Sequence, residues 1–228
     1  MITVEALRKS FGSTRAVDGV TFSARDGHIT ALLGANGAGK TTTLRMLYTL
    51  MRPDAGRILV DGIDALQDPL AVRRRLGVLP DARGLYRRLT ARENISYFAA
   101  LQGLAPAQAA ERVESLLATL AMQEIAARRT EGFSQGERLK TALARALVHD
   151  PRNVLLDEPT NGLDVMSTRS LRDFLRRLRD EGRCVLFSTH IMQEVAALCD
   201  HVVIIARGRV VAEGSPDTLR EQAHEASL

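Results

Sequence analysis

The chain has 228 residues, 45% of them hydrophobic, which is the size and core content of one large domain. Its net charge of +4 is scattered, aromatic residues make up 4% and tryptophan is absent, so few stacking platforms exist for a single strand and no nucleic-acid partner is expected. The longest apolar runs, such as HVVII at 201–205, fall well short of the roughly 20 residues of a membrane span; no secretion signal opens the sequence, and a soluble protein is expected.

In chain order, ITVEALRKSF (2–11) and TRAVDGVTFSA (14–24) read as strands around a Gly12-Ser13 turn, and Asp26-Gly27 marks a second turn before HITALL (28–33). From there strands feed helices. HITALL leads into KTTTLRMLYTL, NVLLDE (153–158) into DVMSTRSLRDFLRRLRDEG, and CVLFST (184–189) into HIMQEVAALCD. HVVIIA and RVVAE follow as strands about Arg207-Gly208, then a short helix, PDTLREQ, and a polar tail. Apolar strands alternating with helices predict an α/β fold with a mostly parallel core sheet covered on both faces, preceded by an antiparallel β part.

Residues 85–150 break that rhythm and read as helices alone. PAQAAERVESLLATLAM carries Val113, Leu116, Leu117 and Leu120 on one face. The segment is expected to be a helical subdomain inserted between two strands, leaving 1–84 and 151–228 as the core. FLRRLR at 174–179 lies on an amphipathic helix and reads as a solvated face. Cys184 and Cys199 have no partner motif and read as reduced thiols.

GANGAGKT, Gly34 to Thr41, matches the phosphate-binding pattern G-x-x-x-x-G-K-[ST] between a predicted strand and a predicted helix. Its glycines let backbone N–H groups turn onto phosphate oxygens at a helix N-terminus. Gly34, Asn36, Gly37, Ala38, Gly39, Lys40, Thr41 and the adjacent Thr42 are therefore the candidate nucleotide-binding residues, with Lys40 on the β- and γ-phosphates and the Thr41 hydroxyl on Mg²⁺. The chain has three lysines, Lys9, Lys40 and Lys140, so Lys40 stands out against a composition that otherwise favours arginine. NVLLDEP ends a strand in Asp157, a carboxylate at the sheet edge where α/β folds bind ligands and a second Mg²⁺ candidate. Glu158 beside it is the candidate general base for an attacking water. LFSTH places His190 at the same edge, within reach of a γ-phosphate.

EGFSQGERLKTALARALVHD (131–150) begins a helix through a capping box, Ser134 to Glu137, with Leu139, Ala142, Leu143, Ala146 and Leu147 on one face. Gly136 in its first turn costs about 1 kcal/mol against alanine.

With the phosphate loop, VLLDEPTNGLD (154–164), STH (188–190) and FSQGE (133–137) in that order, the chain resembles the nucleotide-binding subunits of ABC transporters over essentially its whole length. The resemblance implies the P-loop ABC ATPase fold, ATP and Mg²⁺ as cofactors, and ATP hydrolysis coupled to transport. It implies that Phe11 stacks on adenine, with a core role left open by the residues themselves. It also implies that Ser134, Gln135, Gly136 and Glu137 form the family signature, usually LSGGQ, which closes over ATP held by a second subunit. On that reading Gly136 makes sense only with a second molecule present, and the loop ending in Asp164 crosses between the two. An integral membrane permease is the other implied partner, with the chain peripheral on the cytoplasmic face of a bacterial inner membrane and the surface around Leu85, Tyr86 and Leu89 passing on the motion.

Three departures stand out. Asp81 falls where the family has a glutamine that contacts Mg²⁺; it is a candidate metal and catalytic residue, or plain turn chemistry with Pro80. Gln135 replaces the first glycine of the signature and Glu137 its last glutamine, putting a carboxylate near an anion unless it points back into the capping box. LPDARGLYRRLTARENI and GFSQGER together are similar to a narrower group, the ATPase subunits of bacterial sodium-efflux ABC systems. The alternatives are the ATPase of another exporter, for drugs, lipids or polysaccharides, and a soluble ABC ATPase that serves no permease.

Overall fold

The computed structural model describes residues 1–81 and 84–225; the last residues of the polar tail, 226–228, lie outside them. Strands β1 (Ile2–Phe11), β2 (Thr14–Ala24), β4 (Ala55–Val60) and β5 (Ile63–Asp64) form an antiparallel sheet in the order β2-β1-β4-β5. Alternation on β1 and β2 buries Ile2, Val4, Val20, Phe22 and Ala24 against the rest of the chain and leaves the other face wet.

A second sheet has the order β10-β9-β3-β8-β7-β6, from β3 (Ile29–Leu33), β6 (Leu76–Leu79), β7 (Asn153–Asp157), β8 (Cys184–Thr189), β9 (His201–Ala206) and β10 (Arg209–Gly214). It is parallel except for β10, which pairs antiparallel with β9. Every residue of β3, β7 and β8 is buried, as unbroken apolar runs require when both faces are covered. One face packs on α1 (Lys40–Leu47), α2 (Pro69–Arg75) and the antiparallel sheet through Leu32, Leu44, Val72, Leu155 and Leu186. The other packs on α3 (Ala91–Leu101), α4 (Pro106–Thr119), α5 (Gln135–Leu147), α6 (Val165–Asp180) and α7 (Met192–Leu198) through Leu79, Leu143, Leu156, Leu175 and Phe187. The chain ends in α8 (Pro216–Glu225), three residues longer than PDTLREQ suggests.

No strand or helix is legible in the sequence over 55–79, where the structure has β4, β5, α2 and β6. Short strands of two to six residues and a seven-residue helix carry too little periodicity to read. The helices α3, α4 and α5 do lie between β6 and β7, and Val113, Leu116, Leu117 and Leu120 are buried as expected. The arginines of α6 are half-buried or exposed; Arg176 pairs with Asp173, and Arg179 with Asp180 and Asp200. Cys184 and Cys199 are free thiols, and burial pushes Cys184 up to about 12.

Strand register positions the chemistry. β8 lies between β3 and β7, with Leu33 opposite Thr189 and Asp157 opposite Ser188. β6 adjoins β7 with Leu79 opposite Leu156. The loops after β3, β8, β7 and β6 therefore leave one carboxyl edge side by side, carrying Gly34, His190, Glu158 and Asp81.

Candidate functional site

The loop after β3 is held from below and leaves its upper face open. Gly34 N donates to Thr189 O (3.3 Å), and a Cβ at Gly34 would lie 2.2 Å from Ile205 O, so no other residue fits. Gly39, the N-cap of α1, has φ 108° and no side-chain cap, and no acidic residue sits in the first turn. The first N–H groups of α1 thus lack intrahelical acceptors and face outward at the positive end of the helix dipole. Asn36, Gly37, Gly39, Lys40, Thr41 and Thr42 line a cavity of about 290 Å³, together with Asp81, Glu158 and His190. Gly34 and Ala38 do not line it; Ala38 is buried in the core, and both support the loop instead.

Lys40 is only 4% exposed. Its ammonium donates to Gly34 O (2.8 Å) and Ala35 O (3.2 Å) and lies 3.3 Å from Glu158 Oε1. All three of its hydrogens therefore have acceptors, of which the carboxylate is the one a phosphate can replace. Glu158 Oε2 accepts from His190 Nδ1 at 2.9 Å; because a carboxylate only accepts, the hydrogen sits on Nδ1. Glu158 thus bridges Lys40 and His190.

Asp157 anchors the floor. Its Oδ1 accepts from Ser188 Oγ (2.6 Å) and Thr41 Oγ1 (3.1 Å), and Ser188 Oγ in turn accepts from Glu158 N (2.9 Å). Burial pushes the Asp157 carboxyl above its ordinary value; the Ser188 and Thr41 hydroxyls oppose that rise, and the charges of Asp81 and Glu158 add to it. A divalent cation reverses the balance. Thr41 and Asp81 line the cavity and Asp157 lies buried outside its lining, bonded to the Thr41 hydroxyl; these hard oxygen donors fit Mg²⁺, which keeps most of its shell for water and phosphate oxygens. No group of three or more His, Cys, Asp or Glu that could hold a metal occurs among the described residues.

Phe11 ends β1, is 48% exposed and has Lys9 Nζ 5.9 Å from its ring centre, so the core alternative is excluded; it does not line the cavity around Lys40. None of residues 134–137 lines that cavity either. Gln135 lines an adjoining cavity of about 590 Å³, which shares Asp81, Glu158 and Asn161 with the first and also contains Arg87 and Arg138.

At the start of α5 the capping box is complete. Glu137 N donates to Ser134 Oγ (3.2 Å), Ser134 N donates to Glu137 Oε2 (2.8 Å), and Arg128 Nη1 donates to Glu137 Oε1 (2.8 Å). The Glu137 carboxylate thus points back into its own helix. Burial raises the Glu137 carboxyl, but the Ser134 and Arg128 hydrogen bonds outweigh it and hold the group below its ordinary value. Gly136 has a reason within one chain, which corrects the reading that it needs a second molecule. A Cβ there would lie 2.8 Å from Ser167 Oγ, and that hydroxyl is tied to Asp164 Oδ2 (2.8 Å), the N-cap of α6. Asp164 therefore touches the signature helix indirectly, through Ser167.

Comparison with known proteins adds to this geometry. The family model described as ABC transporter matches residues 17–161, well over half of the chain. The chain belongs to the ABC transporter family. It is 45% identical to the ABC transporter ATP-binding protein NatA of Bacillus subtilis, over 94% of this chain and 87% of that one. It is 37% identical to the daunorubicin resistance ATP-binding protein DrrA3 of Streptomyces coeruleorubidus, over 97% and 70%. A solved ATP-binding subunit of an ABC transporter superposes with a TM-score of 0.89 at 31% identity, covering 98% of this chain and 93% of that one. cbiO1 from Clostridium perfringens, part of the transporter complex cbiONQ, superposes at 0.87 and 27% identity over 97% and 91%. The chain is thus an ATP-binding, ATP-hydrolysing ABC transporter subunit, with ATP and Mg²⁺ as its cofactors. Among the described residues no helix is long and apolar enough to cross a membrane.

Ser188 and Asn161 went unnoticed in the sequence, though both stand inside the quoted motifs. A small polar residue between a phenylalanine and a threonine, or between a threonine and a glycine, gives no pattern of its own; only strand register shows that Ser188 faces Asp157.

By propensity, Gly136→Ala would stabilise α5 by about 1 kcal/mol. The Ser167 clash is expected to cancel that gain, so urea unfolding of Gly136→Ala should show no increase in stability. Gly136→Ala with Ser167→Ala should recover it relative to Ser167→Ala alone.

Proposed function

We propose that the chain is the motor subunit of an ABC membrane exporter, most specifically of a sodium-efflux system, in which two ATP molecules are sandwiched between two copies of this subunit. The observation that supports it most is the mutual pairing of Lys40, Glu158 and His190 in the cavity above α1. In this reading the γ-phosphate replaces Glu158 as the third acceptor of Lys40. The freed carboxylate accepts a proton from the attacking water, and His190, released at the same moment, bonds a γ-phosphate oxygen. Thr41 and Asp157 would hold Mg²⁺, which neutralises charge on the phosphate oxygens. Asp81 would complete the polar wall as a further metal-side carboxylate, and Phe11 would receive the adenine.

The signature is proposed to act in trans. Residues 134–137 stay out of the cavity around their own Lys40, and the one carboxylate in the first turn of α5, Glu137, is held by its own cap and Arg128. The exposed Val165 and Met166, beside Asp164, would be covered in such a pair. Segment 85–150 is proposed as the helical subdomain that carries the signature. Tyr86, stacked edge-on against Tyr97 at 5.3 Å, offers the permease an aromatic surface beside Leu85 and Leu89 on the cytoplasmic face of the membrane.

Sodium rests on LPDARGLYRRLTARENI and GFSQGER, and the 45% identity to NatA agrees with it. A second reading, export of a larger organic cargo, is favoured by the likeness to DrrA3 and by 38% identity to the Nod factor export ATP-binding protein I of Ralstonia nicotianae.

Glu158→Gln should keep ATP binding, slow hydrolysis by about a hundredfold or more and accumulate a dimer on size exclusion. Adding Ser134→Arg should abolish that dimer while the monomer still binds ATP; loss of ATP binding as well would remove Ser134 from the interface. Vesicles containing this chain and its cognate permease should move labelled sodium in an ATP-dependent way. Sodium flux unchanged by ATP, with flux of an organic cargo instead, would favour the second reading.

A further inference from the structure

We propose that Glu194 is a positioning residue for His190, acting through the Thr189 hydroxyl. The inference rests on the role given to His190 above and deepens it.

The turn from β8 into α7 is built unlike the starts of α3 and α5, which carry complete capping boxes. In α3 and α5 the N-cap residue is Thr90 or Ser134, and a glutamate three residues on bonds straight back to the N-cap N–H. The N-cap of α7 is Ile191, which has no side-chain oxygen. Its N–H donates instead to Thr189 Oγ1 at 3.0 Å, and that hydroxyl donates to Glu194 Oε2 at 3.0 Å. Glu194 stands where the capping glutamate belongs, but the Thr189 hydroxyl is inserted between it and the backbone. The bond from Ile191 N to Thr189 Oγ1 closes a turn with a single residue at its tip. That residue is His190.

Burial separates this device from an ordinary cap. Glu194 is 4% exposed, whereas Glu93 and Glu137 lie in solvent-exposed capping boxes. A carboxylate taken out of water beside one neutral donor is an expensive way to start a seven-residue helix. What it does achieve is orientation: an acceptor fixed in the core directs the Thr189 proton inward, which leaves the oxygen lone pairs for Ile191 N–H. The same residue, Thr189, accepts from Gly34 N through its carbonyl. One threonine therefore ties the histidine turn to the base of the phosphate loop, and Glu194 sets its side chain. His190 Nδ1 then meets Glu158 Oε2 at 2.9 Å.

The test is a double-mutant cycle on ATP hydrolysis by the purified chain. Glu194→Met, which removes the acceptor at similar volume, and Thr189→Val should each lower kcat by roughly tenfold or more with KM for ATP nearly unchanged. Glu194→Gln and Thr189→Ser, which keep the acceptor and the hydroxyl, should restore most of the rate. In a His190→Ala background Glu194→Met should add no further loss. Ring-nitrogen NMR shifts of His190 should move in Glu194→Met and Thr189→Val and stay in place in Gln and Ser. Additive losses, a Gln variant as slow as Met, or an unmoved His190 signal would overturn the proposal. If Glu194→Met does not fold, the Thr189→Val and Thr189→Ser pair carries the same comparison. Unchanged kcat in His190→Ala would instead remove the role of His190 itself, and this inference with it.

Discussion

The Asp157 carboxylate is the fixed point of the site. It sits at the end of a strand buried on both faces, 3% exposed, with two hydroxyls on one oxygen and two other carboxylates close enough to raise its affinity for a proton. A buried acid in that position is unfavourable as an anion until a cation arrives. In the proposed reading the same strain favours a metal brought in with phosphate. Ser188 extends the anchor, because the hydroxyl that donates to Asp157 also accepts from Glu158 N and so fixes where the proposed base begins. The loop that carries Glu158 turns at once, with φ 46° at Glu158 itself.

Around that anchor the chain satisfies its charges internally. Lys40 leans on Glu158, and Glu158 holds His190. Such pairing keeps a cation, a carboxylate and an imidazole together in a small cavity without an uncompensated charge. It also means that ligand binding is an exchange of partners and not the filling of an empty slot. The signature helix follows a similar economy: its glutamate serves its own cap and Arg128, its glycine makes room for Ser167, and Ser167 leads to Asp164. The two segments proposed to meet a second subunit are thereby packed together within one chain.

The chemistry was more legible in the sequence than the scaffold. Gly34 to Thr41, Asp157, Glu158 and His190 announce themselves because phosphate and metal binding demand particular residue types at strand ends, and parallel pairing brings those ends together. β4, β5, α2 and β6 did not, since elements of two to seven residues take their form from neighbours and not from their own period. Gly136 shows the opposite error. Its helix cost was real, but the residue it makes room for lies 31 positions away, and sequence spacing gives no sign of Ser167. Phe11 was left between core and surface because an aromatic beside a turn suits both; exposure decided it.

Ser188 holds Asp157 and Glu158 in register, so the most direct measurement is the Mg²⁺ dependence of ATP hydrolysis in Ser188→Ala. Loss of the shortest hydrogen bond to Asp157 should lower kcat by about tenfold or more and shift the Mg²⁺ midpoint upward. A variant with the original rate and midpoint, and an unchanged melting temperature, would contradict the central role given to that carboxylate.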